Sequence, residues 1–344
     1  MLADVARVAG VSTATVSLAL QEHSRISAKT RERVSQAAKQ TGYCYNRFAA
    51  KLRTGRSKSV GLMITDIANP FFAALAAGAE NELDERGYMT FVVNSNDDWG
   101  RQRRQLTTLR EHGVDGLLLS PADGADLSTV NELLGAGISI VQISRWLTGA
   151  PCDSVGPDNV AMAAQATRHL IALGHRRIGF IGGSEGPSAR VERLKGYSEA
   201  LAEAGIGLDP LLTPLATPTR ANGALLLRQV TATPDPATAV LCYHDVVALG
   251  ALQAAKEDGL GVGSSFAIVG FDDIAEASLS NPPLTTVKID AESIGRVAAR
   301  RLLARIEGDM GPPQRVIIPA HLLVRASCGA SQKNPVPPFR QEDL

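Results

Sequence analysis

The chain has 344 residues, 44 % of them apolar and 20 % charged, too many for one ordinary core and too evenly mixed for a disordered or fibrous protein. Without an uninterrupted apolar run of the ~18 residues a membrane span requires, or a basic-then-apolar leader, a cytoplasmic globular protein of two or three folding units is expected. The net charge of zero conceals an asymmetry: residues 1 to 58 hold eleven Lys/Arg against three acids, so a basic head precedes an acidic body and phosphate binding is expected in the head alone.

In chain order, Leu2, Val5, Ala6 and Ala9 recur at helical spacing until Gly10-Val11-Ser12 interrupts them with a glycine suited to a left-handed turn. Ser12 is a good N-cap for a second helix over Thr13 to Leu20. On it Val16 and Ala19 or Leu20 face the first helix, and Thr13, Ala14, Ser17 and Leu18 point outward. Two short helices joined this way form a helix-turn-helix, whose second helix presents its N-terminal end to the major groove. Ser27 caps a third helix to about Gln40, with Val34, Ala37 and Ala38 inward and Gly42 as its stop. So few apolar residues predict a head of marginal stability by itself.

The run from Leu2 to Ser17, LADVARVAGVSTATVS, followed by Ile26 to Val34, ISAKTRERV, resembles without a gap the DNA-binding signature of the LacI/GalR family. The resemblance implies that Thr13, Ala14 and Leu18 face bases, that Ser12, Thr15 and Asn46 mainly hold phosphates, and that Ser17, Arg25 and Ala49 share the DNA surface. Leu18 stands where many members carry Arg or His, which leaves only an apolar contact, such as one to a thymine methyl. Gln21 stands where members often have Asn. The family usually has several more residues before Leu2, ending in a Thr that caps the first helix. Lacking that cap costs about 1 kcal/mol, so a start upstream of Met1 or a frayed first turn is expected.

Asn46 to Arg53 has helix-forming residues but is too short to nucleate a helix alone, and Thr54 to Lys58 reads as a basic connector. The segment resembles the family's hinge helix. The resemblance implies that Leu52 wedges between base pairs in the minor groove and kinks the duplex.

From Ser59 onward short apolar runs alternate with helical stretches. The runs are Val60 to Ile64, Thr90 to Asn94, Gly116 to Ser120, Ser139 to Ile143, Arg177 to Gly182, Ala239 to Tyr243 and Ala267 to Phe271; the helical stretches include 71–86, 159–173, 189–204 and 244–258. This alternation predicts parallel sheets covered on both faces, and the length favours two doubly wound lobes over one very large sheet. Together with the family resemblance this implies an all-α helix-turn-helix domain (1–45), a hinge and linker (46–58), and a periplasmic-binding-protein-like effector and dimerisation body (59–330). Within the body the N-lobe takes about 59–155 and 286–313, and the C-lobe about 156–285 and 314–330. A polar, proline-rich tail (331–344) is expected to be disordered and carries no leucine heptad.

Ligands in such folds sit beyond the carboxyl ends of strands, in the cleft between lobes. The resemblance extends over roughly residues 2 to 328 and implies effector contacts from Phe71 and Phe72, a gripping Arg193, and Asp272 accepting from ligand hydroxyl or amine groups. His244 sits where Asn is frequent, and can equally cap a helix; Pro218 stands where several members have a stacking aromatic. The implied effector is a sugar or sugar derivative. Val155-Gly156-Pro157-Asp158-Asn159 and Cys242-Tyr243-His244 look somewhat like the maltose-regulon repressor branch.

The four cysteines and six histidines show no metal or redox spacing, and no nucleophile elbow, dinucleotide or P-loop pattern is present. The reading is a DNA-binding regulator, expected to be a repressor and not an enzyme, without a cofactor. The resemblance implies a homodimer on a near-palindromic operator, with a small molecule in the cleft as effector. The alternative is a ligand-binding module of the same fold with no DNA function.

Overall fold

A computed structural model of the chain describes residues 1–20, 25–43 and 55–330. They fall into two units, Met1–Ser57 and Lys58–Leu344, which are taken separately.

The head consists of α1 (Leu2–Ala9), α2 (Thr13–Leu20) and α3 (Ala28–Gln40). Gly10 ends α1 at φ 62°, and its N–H reaches the free carbonyls of Ala6 and Arg7. The Ser12 hydroxyl accepts the Thr15 amide at 3.1 Å, and Ser27 caps α3 through Thr30 at 3.3 Å. Val5, Ala6, Ala9, Val16, Ala19, Val34, Ala37 and Ala38 close a small core, with Leu20 at its margin. Ser17 departs from expectation: it is buried with Val16 and Ala19 rather than outward. The helix's inner face is wide, and a small hydroxyl-bearing side chain fits where α2 lies close to its neighbours.

The body comprises β1 (Ser59–Ile64), α4 (Pro70–Asp84), β2 (Met89–Asn94), α5 (Trp99–Glu111), β3 (Gly116–Leu119), α6 (Leu127–Gly135), β4 (Ser139–Ile143) and β5 (Asp153–Gly156). There follow α7 (Asn159–Ala172), β6 (Ile178–Ile181), α8 (Ser188–Glu203), α9 (Arg220–Thr231), β7 (Ala239–Cys242), α10 (Asp245–Glu257), β8 (Ala267–Asp272) and α11 (Ala275–Leu279). The last elements are β9 (Thr285–Ile289), α12 (Ala291–Glu307), β10 (Arg315–Ile317) and β11 (Ala320–Leu323). The N-lobe sheet has strand order β10-β5-β4-β3-β1-β2 and the C-lobe sheet β11-β9-β8-β7-β6. Every pairing is parallel except β11 on β9. Parallel strands covered on both faces are buried throughout, as β1, β3, β6, β7 and β8 are, which is why they read as unbroken apolar runs.

The lobe boundaries differ from the sequence expectation. Residues 286–289, expected to open the second N-lobe segment, lie in β9, which pairs with β8 and β11 of the C-lobe sheet. Arg315–Ile317, expected in the C-lobe, pairs with β5 in the N-lobe sheet. The chain therefore crosses between lobes after β5, after β9 and between β10 and β11. Alternation of strand and helix marks strands but not which sheet a strand joins, and pairing across a long sequence interval decides that.

Within the N-lobe, α4 and α12 meet at two glycines. A Cβ at Gly78 would lie 2.1 Å from the Glu292 carbonyl oxygen, and one at Gly295 would lie 2.0 Å from that of Leu75. Glycine on both helices lets the backbones approach this closely.

Candidate nucleic-acid surface and ligand cleft

On the head, the N-terminal end of α2 is its solvent face: Ser12, Thr13 and Ala14 are exposed, and Thr15 and Leu18 are half-buried. Arg25 is exposed before α3, as are Lys29 and Arg33 within it. Asn46, Ala49, Leu52 and Gln21 lie outside the described residues.

On the body, the carboxyl ends of strands from both sheets converge on a cleft of about 230 Å³. All five residues proposed as effector contacts line it: Phe71, Phe72, Arg193, His244 and Asp272. Asn69, after β1, caps α4 by accepting the Phe71 amide at 3.0 Å. The Phe71 and Phe72 rings meet edge to face with centroids 5.3 Å apart. Both also belong to the main hydrophobic core, so each fills the interior while lining the cleft.

Arg193, on α8, is 6 % exposed. Its Nε donates to Asn159 Oδ1 at 2.9 Å, an Nη donates to the Tyr243 carbonyl, and its guanidinium lies over the Phe271 ring at 4.4 Å. Among the described residues no ion pair joins it to a carboxylate, and the residue lines the cleft. His244 is the N-cap of α10, its Nδ1 accepting the Val247 amide at 3.3 Å. Burial foremost, with the Arg193 charge beside it, holds this imidazole down at about 3, so it lines the cleft as a neutral ring. Burial pushes the Asp272 carboxyl up to about 7, against Arg193 and a hydrogen bond from Asn69, which favour its ionised form. Pro218 lines the cleft where an aromatic was absent from the sequence.

The sequence reading missed a second polar wall from the N-lobe. Arg145, 6 % exposed and just beyond β4, pairs with Asp97 at 2.6 Å and donates to the Tyr243 hydroxyl at 3.3 Å. Burial opposes its charge, but Tyr243 and Asp97 outweigh that, so its pKa is raised. Asp97, beyond β2, also accepts the Asp123 amide at 3.0 Å. Position was the only signal: Asp97 and Arg145 fall within three residues of the ends of β2 and β4, where ligand groups belong in this architecture, and nothing local shows that either side chain turns inward. Four cleft residues hold left-handed backbone without being glycine: Asn96 at φ 53°, Asp97 at 55°, Ser144 at 63° and Asp272 at 110°. Such conformations cost energy and persist where surrounding structure aims a side chain at a site.

A donor-rich cleft with two buried guanidiniums, the carboxyl groups of Asp97 and Asp272, and neutral polar groups suits an oxygen-rich small molecule. No single helix among the described residues is long and apolar enough to cross a membrane.

Comparison with known proteins gives the same two parts. Residues 1–46 match the bacterial regulatory proteins of the lacI family, and residues 167–328 match a periplasmic binding protein-like domain. The maltose regulon regulatory protein MalI of Escherichia coli (strain K12) is 33 % identical over 331 residues, 93 % of this chain and 96 % of that protein. The transcriptional regulator CelR–cellobiose complex superposes with a TM-score of 0.73 at 34 % identity, covering 95 % of this chain and 99 % of that one. The lac repressor dimer bound to operator and the anti-inducer ONPF superposes with a TM-score of 0.83 at 28 % identity, covering 96 % and 99 %. The maltose-regulon branch noted in the sequence is thus among the relatives, beside CelR.

Proposed function

Because this chain belongs to the LacI family of bacterial regulatory proteins, we propose that it is a cytoplasmic, nucleoid-associated repressor that binds a near-palindromic operator as a homodimer and responds to a sugar-like effector in the body's cleft. The observation that carries the reading is the pairing, in one chain, of a capped recognition helix with an exposed N-terminal end and a cleft lined by buried donors. The relatives are regulators rather than enzymes, and we assign this chain no catalysis and no cofactor.

In this reading Thr13, Ala14 and Leu18 meet base edges, and Ser12, Thr15, Arg25 and Asn46 meet the backbone, setting register. Ala49 and Leu52 belong to a hinge over the minor groove, between a head of 1–45 and a body of 59–330. A two-fold dimer places its recognition helices about one helical turn apart, hence the palindrome. Exposed apolar side chains support self-association: Met89, Phe91 and Val92 on the edge strand β2, Leu225 on α9 and Leu279 on α11. The lac repressor relative was solved as a dimer on operator and the CelR relative with cellobiose, which makes a dimer and a saccharide the first partners to test.

Tagged full-length protein, captured on chromatin, should enrich sites that share half-sites one turn apart. Leu52→Ala should then weaken binding to the recovered operator at least tenfold without altering ligand binding by the body. Arg193→Ala should abolish the effector's influence on operator affinity. No enriched palindrome in any growth medium would reject the regulatory reading, and a full effector response in Arg193→Ala would remove that residue from the site.

A further inference from the structure

The segment after β4 places two adjacent residues on the C-lobe at different points. Ser144 turns the chain at φ 63°. Arg145 then enters the cleft and donates to the hydroxyl of Tyr243, whose carbonyl also accepts from Arg193. Trp146 does not line the cleft. Its backbone N–H donates to Ser188 Oγ, at the first residue of α8, at 3.0 Å. The guanidinium of Arg315, on β10 of the N-lobe, covers the Trp146 ring at 3.9 Å. Arg315 in turn pairs with Glu192 on α8 at 3.3 Å. The other Glu192 oxygen accepts Asn159 Nδ2 at 3.2 Å, and Asn159 Oδ1 accepts Arg193 Nε at 2.9 Å. Gly156, at the end of β5, leaves room for the ring, since a Cβ there would lie 3.2 Å from it.

These contacts form a closed circuit. It runs from the cleft arginine through Asn159 and Glu192 to Arg315 and Trp146, along the chain to Arg145, and back through Tyr243 to Arg193. It spans both lobes beside the first and third crossovers, so a lobe rotation that shifts α8 relative to β10 and the segment after β4 changes the Trp146–Ser188 and Arg315–Glu192 distances. A ligand held by Arg193 or Arg145 acts on the same circuit from inside. We propose that Trp146, Arg315 and Glu192 are positioning residues for regulation, forming a latch outside the cleft that ties lobe orientation to cleft occupancy. The proposal rests on the regulatory reading above. Glu192 is half-buried, and burial raises its pKa against the pull of Asn159 and Arg315; Asn159 shares its lobe, so Arg315 is the one of these two partners that the lobe arrangement supplies.

Linkage is reciprocal: if lobe orientation governs operator affinity, operator binding must bias the lobes and so the latch. The chain has two tryptophans, Trp99 and Trp146, and Trp99→Phe leaves Trp146 as the sole reporter. The full-length variant is titrated with the operator duplex recovered by chromatin capture and with a scrambled duplex, while anisotropy follows binding and acrylamide quenching follows Trp146. The expected result is a change in quenching with the operator and none with the scrambled duplex. Arg315→Ala and Glu192→Gln, at residues that do not line the cleft, should each change operator affinity by about fivefold or more, the low end of allosteric coupling, with unaltered thermal unfolding. Tight operator binding with silent Trp146, or wild-type operator affinity in both variants, overturns the latch alone. Failure to bind any recovered duplex overturns the regulatory reading and the latch with it.

Discussion

Asp272 concentrates the electrostatics of the cleft in one side chain. Burial lifts its carboxyl to about 7, so between pH ~4 and ~7 the folded chain keeps a proton that the unfolded chain releases. Stability contributed by this group is therefore complete below pH ~4, falls as pH rises through that window, and levels off above it. Asp272→Asn holds a neutral side chain of the same shape at every pH. Urea unfolding at pH 5 and pH 8 should show the wild type losing about 2–3 kcal/mol more than the variant over that interval. Equal losses would assign the proton elsewhere, and Asp245 is the evident alternative, since burial raises it too and Asp272 adds to the effect. Asp272 stood out in the sequence as an acid closing an apolar run, whereas Arg193 lies within α8 and was named through the family resemblance. Arg145 was not read, because nothing in Ile143-Ser144-Arg145 reveals that the arginine turns inward to Asp97, 48 positions away. Ser17 was misread for the converse reason: a polar residue suggests solvent, while helix geometry put it inside.

At the scale of elements, the close α4–α12 contact makes a sharp prediction. Gly78→Ala improves helix propensity by about 1 kcal/mol but drives a methyl to 2.1 Å from the Glu292 carbonyl oxygen. A backbone atom cannot rotate away as a side chain could, so the variant should be destabilised by about 1–3 kcal/mol overall; a raised unfolding midpoint would mean that the two helices part without cost. The same packing logic explains which elements were legible. The buried central strands announce themselves as apolar runs, and helices announce themselves by caps, as Asn69 and Asp158 do for α4 and α7. The strand β5 gave no such signal, because its first residue, Asp153, is wholly buried and held ionised by Arg301 and Arg305 from α12. Burial alone would raise that carboxyl, yet hydrogen bonds from Arg305, Gln314 and Arg301 keep it low. Its burial therefore depends on a helix almost 150 residues downstream, beyond the reach of local patterning. The edge strand β10 is mostly exposed and short, so it too lacked an apolar signature.

For the whole molecule, the division of charge argues for how it finds DNA. The first 58 residues carry eight more basic than acidic groups and the rest of the chain carries the opposite excess, so non-specific phosphate attraction is confined to the head while the body repels the duplex. A dimer contributes two such heads to one site. If 6–10 phosphates are neutralised, affinity for the recovered operator should fall by roughly 10³–10⁵ between 50 and 200 mM salt, and a log-log plot should be linear with slope near −0.9 per phosphate. Lys29, exposed on α3, gives the internal control. As a backbone contact, its replacement in Lys29→Ala should weaken specific and scrambled duplexes alike and lower the slope by about one for each head engaged. Loss at the operator alone would instead make Lys29 a reader of sequence, and an unchanged slope would remove it from the interface. A shallow slope in the wild type would mean that the basic surface of α3 faces away from the duplex, leaving the N-terminal end of α2 to hold the site without its electrostatic support.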